Sequence, residues 1–240
     1  MDVHKATGTR QVGGDVAITT RLGAVALPLG ILVIAVSEYF HPSREDPMDN
    51  PAVFTEYAQS ESWTTVHLGE YFGFLLLLGG LVALYYSIRA KPGVGAGLAP
   101  FGLAAAITTA ASYTVLQAVD GITLKRAVDA WVSAPADQEI ARFAAAEAVR
   151  WTEIGMNSLS YFLTGLALFI YGLALVLGTA YPRWVGLVAV VSGAAFMYNG
   201  AVEVAYEGFV PSVIKLIGLV LLVVWALVMA VLMWRNSNQY

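Results

Sequence analysis

Six stretches of this chain, near residues 22–40, 66–88, 97–118, 154–178, 182–203 and 212–234, are apolar almost throughout. Each runs for roughly 20 residues, the length an α-helix needs to cross the hydrocarbon of a bilayer. No water is available there to satisfy backbone N–H and C=O groups, so uninterrupted apolar segments of this length fold as helices. The expected class is therefore an all-α polytopic membrane protein with six transmembrane helices, and the lipid bilayer is its first partner. Only 12% of the 240 residues are charged, half the roughly 25% of a soluble domain. Lys91-Pro92-Gly93 and Tyr181-Pro182-Arg183 punctuate two of the connections and predict tight helical hairpins.

Lysine and arginine placement orients the spans. Lys5, Arg10, Arg21, Arg89, Lys91, Arg183 and Arg235 fall on one side, and of the 17 acids only Asp2 and Asp15 accompany them. Both termini are thus expected in the cytoplasm of a multi-pass cell-membrane protein. Residues 1–21 would form a polar tail without a cleavable leader, and 22–240 a single transmembrane domain with outward loops at 41–65 and 119–152. Asn50-Pro51 reads as a helix start with Asn50 as cap, leading into 52–60, and Asp137 as a cap for 138–150.

Composition excludes several chemistries. The chain has no cysteine, so thiolate metal sites, disulfides and Cys nucleophiles are out. A net charge of −4 argues against nucleic acid as a partner. Phosphate-binding glycine loops, a Gly-x-Ser-x-Gly elbow and His-Glu-x-x-His are all missing, and Gly93-Val-Gly95-Ala-Gly97 reads as a flexible turn.

The second and third spans resemble the fourth and fifth at an offset of 86, with Gly79 meeting Gly165, Tyr85 meeting Tyr171, Tyr113 meeting Asn199 and Gln117 meeting Glu203. Such a tandem-hairpin repeat would make spans two to five a four-helix core flanked by spans one and six.

Helical spacing places polar residues on one face of each of these four helices. They are His67 and Glu70; Thr109, Tyr113, Gln117 and Asp120; Glu153, Asn157, Ser160 and Thr164; and Ser192, Asn199, Glu203 and Glu207. Lys215 follows one turn into the sixth span. Acids within a turn of a span's end are often ordinary interface residues, and Glu70 and Glu153 also gain about 0.3–1 kcal/mol from helix N-termini. Asp120, Glu203 and Glu207, by contrast, fall at expected helix C-termini, where the dipole disfavours them and Lys125, Arg126 or Lys215 would have to compensate. Turned inward together, the four stripes would line an outward-opening polar pocket.

His67, Glu153 and Glu203 are the expected ligands of a divalent, zinc-like metal. Glu70 and Glu153 are the expected catalytic acid and base, for hydrolysis of a lipid or amphiphile. Tyr113, Gln117, Asp120, Asn157, Asn199 and Lys215 would bind a small polar or amphiphilic ligand. Haem held by His41 and His67 is a weaker alternative, because the acidic surroundings suit propionates poorly. Transport of a cation or small molecule competes with this reading. So does a non-catalytic role, in which glycine-rich and aromatic faces pack in a homo-oligomer or membrane complex.

Overall fold

The computed structural model describes residues 3–239, with side chains from Gly14 onward. Asp2 lies outside the described residues, as do the side chains of His4, Lys5 and Arg10. The elements are α1 (Val3–Tyr39), α2 (Asn50–Gln59), α3 (Trp63–Arg89), α4 (Val94–Ala118), α5 (Lys125–Val132), α6 (Glu139–Val176), α7 (Arg183–Tyr198), α8 (Ala205–Glu207) and α9 (Val213–Asn236). Six helices are long and apolar enough to cross a membrane. The protein is an all-α polytopic membrane protein. Leu22, Leu29, Leu32, Phe72, Phe101, Leu159, Leu187 and Val220 stay exposed on its outside, as suits surfaces that face lipid.

The six long helices stand in a ring, in chain order. α1 packs on α3, α3 on α4, α4 on α6, α6 on α7, α7 on α9, and α9 returns to α1. Spans one and six are therefore members of the wall on the same footing as spans two to five. Two antiparallel pairs are drawn especially close by small residues. A Cβ added at Gly30 would lie 2.7 Å from the carbonyl of Gly73, and one at Gly193 would lie 2.6 Å from that of Gly165. Backbone contact of this kind is how helices associate where lipid removes the hydrophobic drive. Spans three and four approach in the same way, a Cβ at Gly95 falling 2.3 Å from the carbonyl of Ala174. The repeat read from sequence does not carry over in detail: Gly79 faces open space whereas Gly165 is pressed against α7, and Tyr85 is half-buried whereas Tyr171 is fully buried.

Helices overrun their expected ends. α1 begins at Val3, well before residue 22, and α6 begins at Glu139, fifteen residues before the expected start of its span. Span three does not stop near residue 118. A π-helical turn over Val119–Leu124 carries it directly into α5, and a second such turn over Asn199–Val204 joins α7 to α8. Asp49, one residue earlier than expected, caps α2 by accepting from Ala52 N at 3.3 Å. The residue before α6 is Gln138, and its side chain makes no cap bond.

α2, α5 and the first turns of α6 form a cap over one end of the ring. Its small core holds Val53, Phe54, Tyr57, Trp63, Leu124, Val128 and Ala146, with Trp131 and Phe143 packed against it. Asn50 donates to Glu147 at 3.0 Å and ties α2 to α6. The opposite end, which carries the start of α1 and the end of α9, is filled by the main core. There Leu84, Ile88, Ala99, Tyr171, Leu175, Val185, Met229 and Met233 are at most 2% exposed.

Candidate functional site

Between cap and core lies a cavity of about 580 Å³, lined by residues from all six wall helices. That volume is within the roughly 300–1,000 Å³ of ligand pockets. Along α3 it reaches from His67 to Leu81, about 21 Å at 1.5 Å per residue, against the roughly 30 Å thickness of a bilayer's hydrocarbon.

Its walls change character with depth. Beneath the cap they carry Glu38, His41, His67, Glu70, Asp120, Arg150, Glu153 and Lys215. Thr109, Tyr113, Ser160, Tyr161 and Thr164 form a middle belt, and Thr109 and Thr164 donate to the carbonyls of Ala105 and Ser160, each at 2.8 Å. The floor is Leu27, Leu81, Ala167, Leu168, Leu222, Trp225 and Ala226. Of the expected ligand-binding residues, Tyr113, Gln117, Asp120, Asn157, Asn199 and Lys215 all line this space, as do His67, Glu70 and Glu153.

α3 and α4 are joined beneath the cap by two rungs. In the first, His67 Nδ1 donates to the Trp63 carbonyl at 2.8 Å, leaving Nε2 3.2 Å from Asp120 Oδ2. This is ion-pair distance, although Nε2 does not sit on a good hydrogen-bond line. Nδ1 points its hydrogen at the carbonyl, so Nε2 is the nitrogen turned toward the carboxylate. In the second rung, one turn deeper, Gln117 Nε2 donates to Glu70 Oε2 at 3.2 Å.

The π turn explains why the first rung can form. It frees two carbonyls, and α3 answers both: Trp63 Nε1 donates to Asp120 O at 3.0 Å and Thr64 Oγ1 to Gly121 O at 2.9 Å. A Cβ at Gly121 would lie 2.5 Å from His67 Cβ, so only glycine admits the imidazole there. Asp120 is thus a mid-helix residue paired with His67, not the exposed helix end expected from sequence. Lys125, the expected compensating cation, bonds Asp129 at 2.6 Å and the Ala58 carbonyl at 3.1 Å instead.

Across the chamber, Arg150 and Glu153 form a buried pair at 2.6 Å, the two residues 3% and 2% exposed. The guanidinium also donates to the Pro47 carbonyl at 2.9 Å and stacks 4.9 Å from the Phe209 ring and 5.6 Å from that of Tyr57. Asn157 donates to the other Glu153 oxygen at 3.3 Å. Arg150, the last residue of the expected 138–150 helix, is a site residue that the sequence reading did not single out. The signal was its i, i+3 spacing to Glu153, visible only once α6 is known to extend that far.

Glu203 is not among the lining residues. It accepts from Asn199 Nδ2 at 2.6 Å and from Ser212, whose hydroxyl in turn accepts from Lys215 N at 2.9 Å to cap α9. Ser192 likewise serves the wall, donating to Gly218 O at 2.8 Å, and Glu207 is exposed at the end of α8. Lys215 places its ammonium 4.8 Å over the ring of Tyr161.

Among the described residues no three of His, Asp and Glu converge closely enough to hold a metal ion. His67, Glu153 and Glu203, the expected ligand set, are engaged by Asp120, Arg150 and Asn199 respectively. The His41 and His67 rings are in contact, centroids 5.2 Å apart and tilted by 56°, which leaves no gap for a porphyrin between them. Burial, and then the neighbouring His67, holds the His41 imidazole below its ordinary value of 6.5, while burial pushes the Tyr57 phenol up.

No family model, no curated protein and no solved structure matches the chain.

Proposed function

We propose that this protein is a receptor for a single-chain amphiphile, with the polar head held beneath the cap and the chain lying along the floor of the ring. One observation carries this reading: a single cavity of about 580 Å³ joins a buried charged cluster to a floor of leucine, alanine and tryptophan. A small polar solute would gain nothing from the lower half, and a wholly apolar one would strip water from the upper half without replacing its hydrogen bonds.

The cap end faces outward in this proposal, because Arg21, Arg89, Lys91, Arg183 and Arg235 gather at the other end. The packed core around Tyr171, Leu84 and Met233 closes that cytoplasmic end, which favours capture from the outer side over passage through the membrane. Glu70 and Glu153 each hold a partner of their own, which suits the binding of a head group better than paired acid–base work.

Native mass spectrometry of the purified protein tests the proposal. Wild type should retain one single-chain amphiphile per protein. Leu222→Trp, which fills the floor, should retain none of twelve or more carbons while its melting temperature holds. Equal retention by both proteins would sink the reading.

A further inference from the structure

We infer that the head group is a primary ammonium, seated between α3 and α4 on Glu70, Gln117 and Asp120. This head-group site, which rests on the chamber proposed above, is defined by what the two rungs leave over. Glu70 Oε1, Gln117 Oε1 and Asp120 Oδ1 are buried in the chamber wall without hydrogen-bond partners. Glu70 and Gln117 are only 6% and 7% exposed.

These three are acceptors, and the fourth orphan of the rungs, His67 Nε2, faces Asp120 Oδ2 at 3.2 Å. Glu70 and Gln117 are held together by the 3.2 Å bond between their other polar atoms, so their free oxygens share one small region. Asp120 stands one turn further up α4, fixed by His67, itself one turn above Glu70 on α3. A primary ammonium offers three N–H donors and one positive charge. The site asks for that number of each.

The pairing of charges around the rungs agrees, Lys215, the other cation on the chamber wall, lying over the ring of Tyr161. Asp120 has His67 at ion-pair distance, and Glu153 is neutralised by Arg150. Glu70 receives only the neutral amide of Gln117. A buried carboxylate without a cation is costly, and either a proton or a cationic guest must relieve it. Other heads fit less well. A sulfate or carboxylate would meet an acidic wall, a hydroxyl brings one donor and no charge, and a quaternary ammonium brings charge but no donor. From this site an alkyl chain passes Phe74, Leu77 and Leu78 to reach Leu81 on the same helix face.

The test is equilibrium binding, in a bulky-headed detergent at neutral pH, of four probes with one chain length: dodecylamine, dodecanol, dodecyl sulfate and dodecyltrimethylammonium. Sodium, potassium and calcium chlorides serve as chainless cations. Dodecylamine should bind on the order of tenfold or more tighter than dodecanol, as loss of a charge-assisted bond implies. Glu70→Gln should erase that preference, bringing dodecylamine down to the affinity of dodecanol. Gln117→Met, which keeps every charge, should reduce it severalfold and guards against misfolding of the first variant.

Equal binding of amine and alcohol, or preference for sulfate or trimethylammonium, overturns the ammonium site and leaves the chamber standing. Protection of the protein by a metal cation to the same degree as by dodecylamine overturns it as well, in favour of an inorganic cation. Failure of every chain-bearing probe to bind overturns the chamber itself.

Discussion

Replacing Arg150 by methionine removes the one cation that neutralises Glu153, while keeping a long flexible side chain between Tyr57 and Phe209. Glu153 is 2% exposed, and its remaining partner is the neutral amide of Asn157 at 3.3 Å. Breaking one side of a buried ion pair costs about 3–5 kcal/mol, because the surviving charge is left unpaired. The lost bond to the Pro47 carbonyl, 2.9 Å in the native protein, lies within that range. For a chain of this size about 2–4 °C accompanies each kcal/mol, so Arg150→Met should melt about 6–20 °C below wild type. The double variant Arg150→Met with Glu153→Leu removes both charges and should return to within about 1 kcal/mol of wild type, since apolar replacement of a whole buried pair is often neutral. Arg142→Ala alters an exposed arginine on the same helix and should shift stability by no more than about 0.5 kcal/mol. Thermal unfolding of the four purified proteins, read by tryptophan fluorescence, makes the comparison. If Arg150→Met melts with wild type, or if the double variant is no better than the single, the pair is not the buried, mutually dependent unit described here.

Further outcomes are equally specific. Gly121→Ala would press a methyl against His67 and should destabilise by about 1–3 kcal/mol while loosening the His67–Asp120 contact. Gly79→Ala, in open space, should be neutral or stabilising by up to about 1 kcal/mol; equal effects at the two glycines would contradict the packing around the π turn. Trp63→Phe keeps the aromatic stack but orphans the Asp120 carbonyl, and should lower stability by about 1–3 kcal/mol in the same melt; no change would show that water replaces the indole freely. His41 is held below 6.5, so as pH falls through 6.5 the unfolded chain takes a proton that the folded one refuses. Stability present above that pH should therefore decline below it, and His41→Asn should flatten the decline. An imidazole NMR titration with its midpoint at or above 6.5 would count against this.

Six spans could be read from the chain because lipid leaves little choice of backbone structure, and the polar stripes because helical spacing sets which residues share a face. That is why His67, Glu70, Tyr113, Gln117, Asp120, Asn157 and Lys215 were all found lining one cavity. What escaped was how the acids would be shared out. Asp120 went to His67 rather than to Lys125 because a π turn rotates it toward α3, and no residue pattern announces that turn in advance. Arg150 stayed hidden because the Ala-rich segment before it gives no sign of where the bilayer begins. Glu203 looked equivalent to the others by spacing, yet the same kind of turn directs it to Ser212 and the start of α9. The apolar floor was legible only as ordinary span sequence, since a leucine facing a cavity and one facing lipid are written alike.

The order in which the staves stand has a mechanical consequence. Consecutive staves are tied by backbone at every joint except where α9 meets α1. There the described fastening is made of side chains: Arg21 reaches Ser237 at 3.1 Å and Asn238 at 2.8 Å, and lies 5.9 Å from the Trp234 ring. A hoop with one unsewn seam can widen there by giving up these polar contacts and the packing of Met233 near Gly23, with no connecting segment obliged to follow, whereas at every other joint a connecting segment has to move as well.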